Sequence, residues 1–319
     1  MQDQPLDLIG TPAFVPGRQR AQLTIADRHG HQRRVVLETE HLIEAPNWSP
    51  DGQWLVFNSE GALFRVRADG SAAPERLDTG THAAANNDHV LSPDGRTVYF
   101  STNDCRLLAV PFEGGVPRRV SSEALVETGF HYYLHGVSPD DALLAYVGLR
   151  AAADGVGYEY GLYTVPTQGG EDRALLLPGV PVDGPEYSPD GAWIYFNGEI
   201  GARTPGHSQL FRMRPDGQGV EQLTHDERVN WFPHLSPDGR WMLYLSYPPG
   251  TLGHPANREV ILRIAPAEGG PATDLVHLLG GQGTLNVNGW APDSEWFAYV
   301  AYPARPPQSQ AASRITPQI

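Results

Sequence analysis

An all-β, six-bladed propeller is the fold the sequence predicts, and three observations predict it. Ser49-Pro50-Asp51-Gly52 returns as Ser92-Pro93-Asp94-Gly95, Ser138-Pro139-Asp140-Asp141, Ser188-Pro189-Asp190-Gly191, Ser236-Pro237-Asp238-Gly239 and Ala291-Pro292-Asp293-Ser294. The marker prolines stand 43, 46, 50, 48 and 55 residues apart, the length of one supersecondary unit per repeat. The markers are followed by apolar runs such as Trp54-Leu55-Val56-Phe57, and the 35 Gly and 29 Pro suit many turns between short strands better than long helices.

Taken in order, residues 1–17 carry Pro5, Pro12 and Pro16 with little periodicity and are expected as an N-terminal arm. Residues 18–302 are expected as one propeller and 303–319, after Pro303, Pro306 and Pro307, as a C-terminal tail. Leu23-Thr24-Ile25-Ala26 and Arg34-Val35-Val36-Leu37, joined by Asp27-Arg28-His29-Gly30, read as a hairpin. Five units of four short strands follow, which is what a propeller blade requires. The first has strands near 43–48, 54–58, 63–66 and 74–77; the second near 86–91, 97–101, 106–110 and 117–120. The third is placed at 131–137, 143–149, 161–165 and 173–177, and the fourth at 182–187, 193–197, 209–213 and 219–223. The fifth is placed at 230–235, 241–246, 259–264 and 272–278. The sixth marker leads into Trp296-Phe297-Ala298-Tyr299-Val300 and no further strand, so the N-terminal hairpin is expected to complete the last four-stranded blade and close the ring without a free edge.

Composition limits the function classes. The formal charge is −14, from 37 acidic and 23 basic residues, so a nucleic-acid phosphate backbone would meet net repulsion. No run approaches the eighteen apolar residues of a membrane span, and the first residues have neither the basic stretch nor the apolar core of an export signal. Cys105, the single cysteine, is expected inside a blade and cannot form an internal disulfide, which favours a reducing compartment. A cytoplasmic location is expected, with a periplasmic one second.

The repeat also orients the molecule. The marker joins the first strand of a blade to its second, and the Asp-Gly or Gly-Gly turns join the third to the fourth, so both lie on one rim. The marker aspartates are therefore read as turn residues that bond to nearby backbone N–H groups. Three insertions, Leu149–Tyr160, Gly198–His207 and Tyr247–His254, fall between second and third strands and share the opposite rim. A ligand site is expected there, on the insertion-bearing face of the central tunnel.

The form Asn47-Trp48-Ser49-Pro50-Asp51-Gly52, with Leu91-Ser92-Pro93-Asp94-Gly95, Tyr187-Ser188-Pro189-Asp190-Gly191 and Trp290-Ala291-Pro292-Asp293, resembles the repeats of the TolB-like propellers over about residues 20–302. A more distant resemblance is to oligogalacturonate lyase, a propeller enzyme whose metal is held mainly by histidines beside the axis. The first resemblance implies a binding protein or scaffold. The second implies a metal-dependent lyase or hydrolase acting on acidic carbohydrate, in which a cation neutralises a uronate carboxylate and a base removes the adjacent proton.

Of the 12 histidines, His131, His135, His234 and His254 lie on inner strands or in the fifth-blade insertion, where imidazoles from different blades could hold a divalent metal such as manganese or zinc. Hydrogen bonding to backbone and water is the plainer role for the same residues. Tyr132, Tyr133, Tyr158, Tyr160 and Trp231 offer flat faces to a sugar or peptide, and Gln282, Asn286 and Asn288 of a Gly-rich segment offer amides to hydroxyl groups. Glu44, Asp88, Asp183 and Glu186 are further acidic groups on inner strands. The expected partner is a small molecule, a carbohydrate or a protein. No catalytic motif decides between binding and turnover.

Overall fold

A computed structural model describes residues 8, 10, 11, 13–80, 84–153 and 155–305. Its strands form six antiparallel sheets arranged as a propeller. The first blade is Glu44–Trp48, Trp54–Ser59, Ala62–Arg67 and Glu75–Arg76; the second is Ala85–Leu91, Thr97–Thr102, Leu107–Pro111 and Arg118–Arg119. The third is His131–Val137, Leu143–Ala151, Tyr158–Pro166 and Arg173–Leu176, and the fourth is Val182–Tyr187, Ile194–Gly198, Gln209–Met213 and Glu221–Gln222. The fifth is Val229–Leu235, Trp241–Tyr247, Arg258–Pro266 and Thr273–Gly280. One short helix, Glu123–Glu127, links the second blade to the third.

The sixth sheet closes the ring with both ends of the chain. Trp296–Ala301 pairs with Ala21–Asp27, which pairs with Arg33–Thr39. The innermost place, where a regular strand is expected, holds only the isolated bridge Trp290 to Phe297. Residues 281–289 turn instead of forming a ladder, with only the Thr284 and Gly289 carbonyls accepting from Val300 and Ala298 of the neighbouring strand, and Gly281 and Gly283 take φ of 118° and 86° there. The sheet is thus three strands and a bridge.

The marker turn repeats one hydrogen-bond scheme. In each of the five Ser-Pro-Asp turns the Ser hydroxyl donates to the Asp carboxylate, and the same hydroxyl oxygen accepts the N–H five residues on, as in Trp54 to Ser49 at 2.9 Å. The Asp also accepts the N–H two residues on, as in Gln53 to Asp51 at 2.9 Å. These carboxylates are spent on local backbone, which agrees with their reading as turn residues. The fourth position needs positive φ, 73° at Gly52, and Asp141 and Ser294 adopt 58° and 62° without being glycine. Each uses its side chain on the preceding blade: Asp141 accepts from Tyr99 Oη at 3.0 Å, and Ser294 Oγ accepts from Asp238 N at 3.0 Å.

The core lies between blades. Phe57, Phe100, Phe196, Tyr244 and Phe297, one after each of five markers, are at most 2% exposed and pack in separate apolar clusters around the ring. Burying such a ring contributes roughly 2–3 kcal/mol. Cys105 differs from its expected place. It sits at φ 69° in the turn after Thr97–Thr102, because Thr102 N–H bonds back to Arg106 carbonyl and makes a tight hairpin there. The third-blade insertion is largely a longer hairpin, with Leu149, Arg150 and Ala151 paired to Tyr160, Glu159 and Tyr158.

Candidate functional site

Three inner strands carry a proline three residues before the marker: Pro46, Pro185 and Pro233. Proline has no N–H for the ladder, and pairing slips there, between Glu44 and Asn47, Asp183 and Glu186, and Trp231 and His234. The residue before each proline, Ala45, Gly184 or Phe232, has φ of 54°, 62° or 56°. A phenylalanine rarely adopts that backbone, and Asn197 Oδ1 secures it by accepting Phe232 N–H at 3.0 Å. Each slip breaks the two-residue alternation, so that side chains three apart both reach the axis.

The unpaired segment of the sixth blade fills the middle of the ring. The Asn286 carbonyl accepts from His135 Nδ1 of the third blade at 3.2 Å, and the Leu285 carbonyl from His234 Nε2 of the fifth at 3.0 Å. Asn288 carbonyl accepts from Asn47 Nδ2 of the first blade at 2.9 Å, while its own amide donates to Glu186 of the fourth at 2.8 Å. Leu285 and Val287 are fully buried. A segment bonded to four other blades lies across the axis as a plug.

Below the plug, toward the marker rim, a polar network is almost wholly buried. Glu186 Oε2 is 2.7 Å from His234 Nδ1, Glu186 Oε1 accepts from Leu235 N at 2.8 Å, and His89 Nδ1 meets Asn47 Oδ1 at 2.8 Å. Burial pushes His89 down to about 3, so it is neutral. A cavity of about 290 Å³ opens beyond these groups between Trp48, Tyr187, Trp290 and the marker prolines.

Above the plug, toward the insertions, lies a cavity of about 390 Å³ lined by Asn86, Asn87, Asp88, Asn103, Tyr133, His135, Tyr160, Asp183, Phe232, His254, Gln282 and Asn286. It adjoins a second space edged by Trp231, Glu199 and residues 252–256 of the fifth-blade insertion. His135 Nε2 is 3.0 Å from Asp183 Oδ1, and Gly184 N donates to that same oxygen at 2.7 Å. The insertion brings His254 over Asp183, with Nε2 3.8 Å from Oδ2, Nδ1 bonded to Gln282 Oε1, and the ring 4.5 Å from that of Trp231.

Charge in this cavity follows burial and pairing. Burial alone would depress His135, yet Asp88, Asp183 and the Asn286 carbonyl raise it to about 9, so it is an imidazolium. Burial raises Asp183, but its bonds to His135 outweigh this and hold it below the usual carboxylate range. Burial pushes Asp88 up to about 7, with His135 opposing and Asp183 adding. Burial and the Asp88 charge lift Glu44 to about 7 as well. His254 is lowered by burial despite Asp183.

Of the residues singled out by sequence, Tyr133, Tyr160, Trp231, Gln282, Asn286, His135 and His254 come together around these two spaces. Others do not. Tyr132 is fully buried with its hydroxyl on Asp172, Tyr158 is 59% exposed on the third-blade hairpin, and Asn288 faces the marker side of the plug. His131 meets Tyr133 Oη at 3.5 Å away from the axial cavity, and His234 lies under the plug with both ring nitrogens against acceptors. Among the described residues no three His, Cys, Asp or Glu side chains are arranged to hold a metal ion. Sequence reasoning passed over Asn86, Asn87, Asn103 and Phe232; the run Asn86-Asn87-Asp88, polar where an inner strand is otherwise apolar, is the signal that marks the first two.

No family model matches the chain. It is 39% identical, over 290 residues that make up 90% of it and 94% of the relative, to an uncharacterized protein of Agrobacterium fabrum. A solved structure described provisionally as TolB, from Agrobacterium tumefaciens, superposes with a TM-score of 0.81 at 38% identity, covering 90% of this chain and 99% of that one. TolB from Acinetobacter baumannii (TM-score 0.59, 15% identity, 83% of this chain and 65% of that one) shares the fold alone. So does an oligogalacturonate lyase in complex with manganese (TM-score 0.53, 15% identity, 83% and 75%). With the six markers, the closed ring and this identity along nine-tenths of its length, the protein belongs to the TolB-like propeller family.

Proposed function

We propose that the protein binds a small polar molecule in the axial cavity on the insertion side. The observation that carries this is the plug: it turns an open channel into a blind cavity with a floor of amides and a wall of buried ionised groups. A volume of about 390 Å³ is within the range of small-ligand sites. Aromatic flanks and convergent amides suit stacking and hydrogen bonding to a ligand the size of one or two sugar rings. A metal-dependent lyase or hydrolase acting on acidic carbohydrate is the weaker reading, since His135 has both ring nitrogens engaged and the carboxyl groups of Asp88 and Asp183 would repel a uronate.

A thermal-shift and calorimetric screen of neutral sugars, amino sugars, uronates and amines tests the proposal. Gln282→Ala and Tyr160→Ala are each expected to weaken any ligand found by about tenfold or more, a loss on the order of 1.4 kcal/mol. A ligand whose affinity ignores both substitutions binds elsewhere, and metal-dependent turnover by the purified protein would replace binding with catalysis.

A further inference from the structure

The axial cavity is unbalanced in charge. Asp88 and Asp183 line it and Glu44 stands beside Asp88, whereas among the described residues its only cation is His135. Both ring nitrogens of His135 are already held, one by the Asn286 carbonyl and one by Asp183, so it offers no donor to an incoming anion. Asp88 is the sharper feature. It is 4% exposed and lines the cavity, and among the described residues its carboxylate accepts no hydrogen bond. A buried carboxylate without donors is costly, and a ligand that brings them recovers that cost.

We propose that the axial site takes a small organic ammonium that also carries hydroxyl groups, an amino sugar or amino alcohol, with its N–H groups donating to Asp88 and its hydroxyls meeting the amides of Asn86 and Gln282. The inference rests on the cavity being a binding site and specifies what it selects. The rings of Tyr133, Tyr160 and Phe232 supply faces against which a cation is favoured, while an anionic sugar meets two or three carboxyl groups and no free cationic donor. A bare metal ion suits the site less well, because His135 already spends both ring nitrogens on the Asn286 carbonyl and Asp183.

The test is calorimetric titration of the full chain with glucosamine, N-acetylglucosamine, glucose, glucuronate, putrescine, calcium chloride and manganese chloride, repeated on Asp88→Asn. Glucosamine is expected to bind at least about tenfold more tightly than N-acetylglucosamine or glucose, and glucuronate most weakly. Asp88→Asn is expected to erase that preference while its circular dichroism and ligand-free thermal midpoint stay at or above those of the parent. If glucose or N-acetylglucosamine binds as well as glucosamine and Gln282→Ala weakens them, the ammonium inference falls and the binding site stands. An amine preference that survives Asp88→Asn, or tighter binding of calcium or manganese than of any amine, also overturns it. If none of the seven binds, both readings fall.

Discussion

At the scale of single residues, the axial carboxyls make stability depend on pH with a definite sign. Asp88 and Glu44 are raised from 3.8 and 4.5 to about 7, so their contribution is complete in acid and is lost as pH climbs through 7. His135, raised from 6.5 to about 9, likewise contributes below 6.5 and loses its contribution through 9. His89 and His254, both lowered, contribute above 6.5 and lose that contribution only toward acid, as does the lowered Asp183 further down. Between pH 6.5 and 9 only the declining groups change. Urea denaturation of the ligand-free protein should therefore show stability falling across that window. Asp88→Asn should flatten the fall, because it weakens the field that holds His135 charged, whereas the loss from Asp88 itself is nearly over by pH 7; an unchanged slope refutes the assignment.

Single residues were also where sequence was least legible. Tyr132 and Tyr133 look equivalent in a string, but adjacent strand residues face opposite ways, and Tyr132 goes to the core between blades. His131 and His135 share a face in principle, yet four residues of strand span about 13 Å, too far for one metal. His135 and His234 differ by one place relative to their markers, and the bulge turns that offset into opposite sides of the plug.

At the scale of elements, repeat spacing made the blades legible because turn chemistry is local: Ser, Pro, Asp and Gly act within six residues of one another. The plug was not legible. Its Gly-rich, amide-rich composition marked Gly280 to Asn288 as unusual, but its bonds run to Asn47, His135, Glu186 and His234, each far away in sequence. Glu186 is the node, accepting from Leu235 N and Asn288 and pairing with His234. Glu186→Ala leaves Leu235 N and His234 Nδ1, both buried, without that acceptor and removes one of two bonds made by the Asn288 amide, and should cost about 3–5 kcal/mol in chemical denaturation. A loss under about 1 kcal/mol would mean that the plug is held by its apolar side chains alone.

At the scale of the whole molecule, closure was legible from strand counting: five complete units, a remainder at one end and a hairpin at the other. The register bears this out, with Gln22 to Asp27 paired to Ala301 through Trp296. Arg28 to Glu295 at 2.9 Å and Gln19 to the Tyr302 carbonyl at 3.0 Å tie the same seam. Deleting residues 1–39 strips two strands from the last sheet and bares the edge of Trp296–Ala301. Size-exclusion chromatography should then show aggregation, and heating should give a broad transition in place of one cooperative step. A monomeric, cooperatively melting deletion would show that five blades hold without the clasp.

The plug has one more consequence, and it concerns change over generations. Five blades keep an inner strand whose residues serve ladder and core at once, so substitution there is constrained twice over. The sixth has released some ten residues from pairing while holding them at the centre of the ring. Where its side chains face the cavity, as Gln282 does, such a stretch can change the floor at little cost to the scaffold. Relatives that keep all six markers are therefore expected to diverge most in selectivity where the repeat is broken.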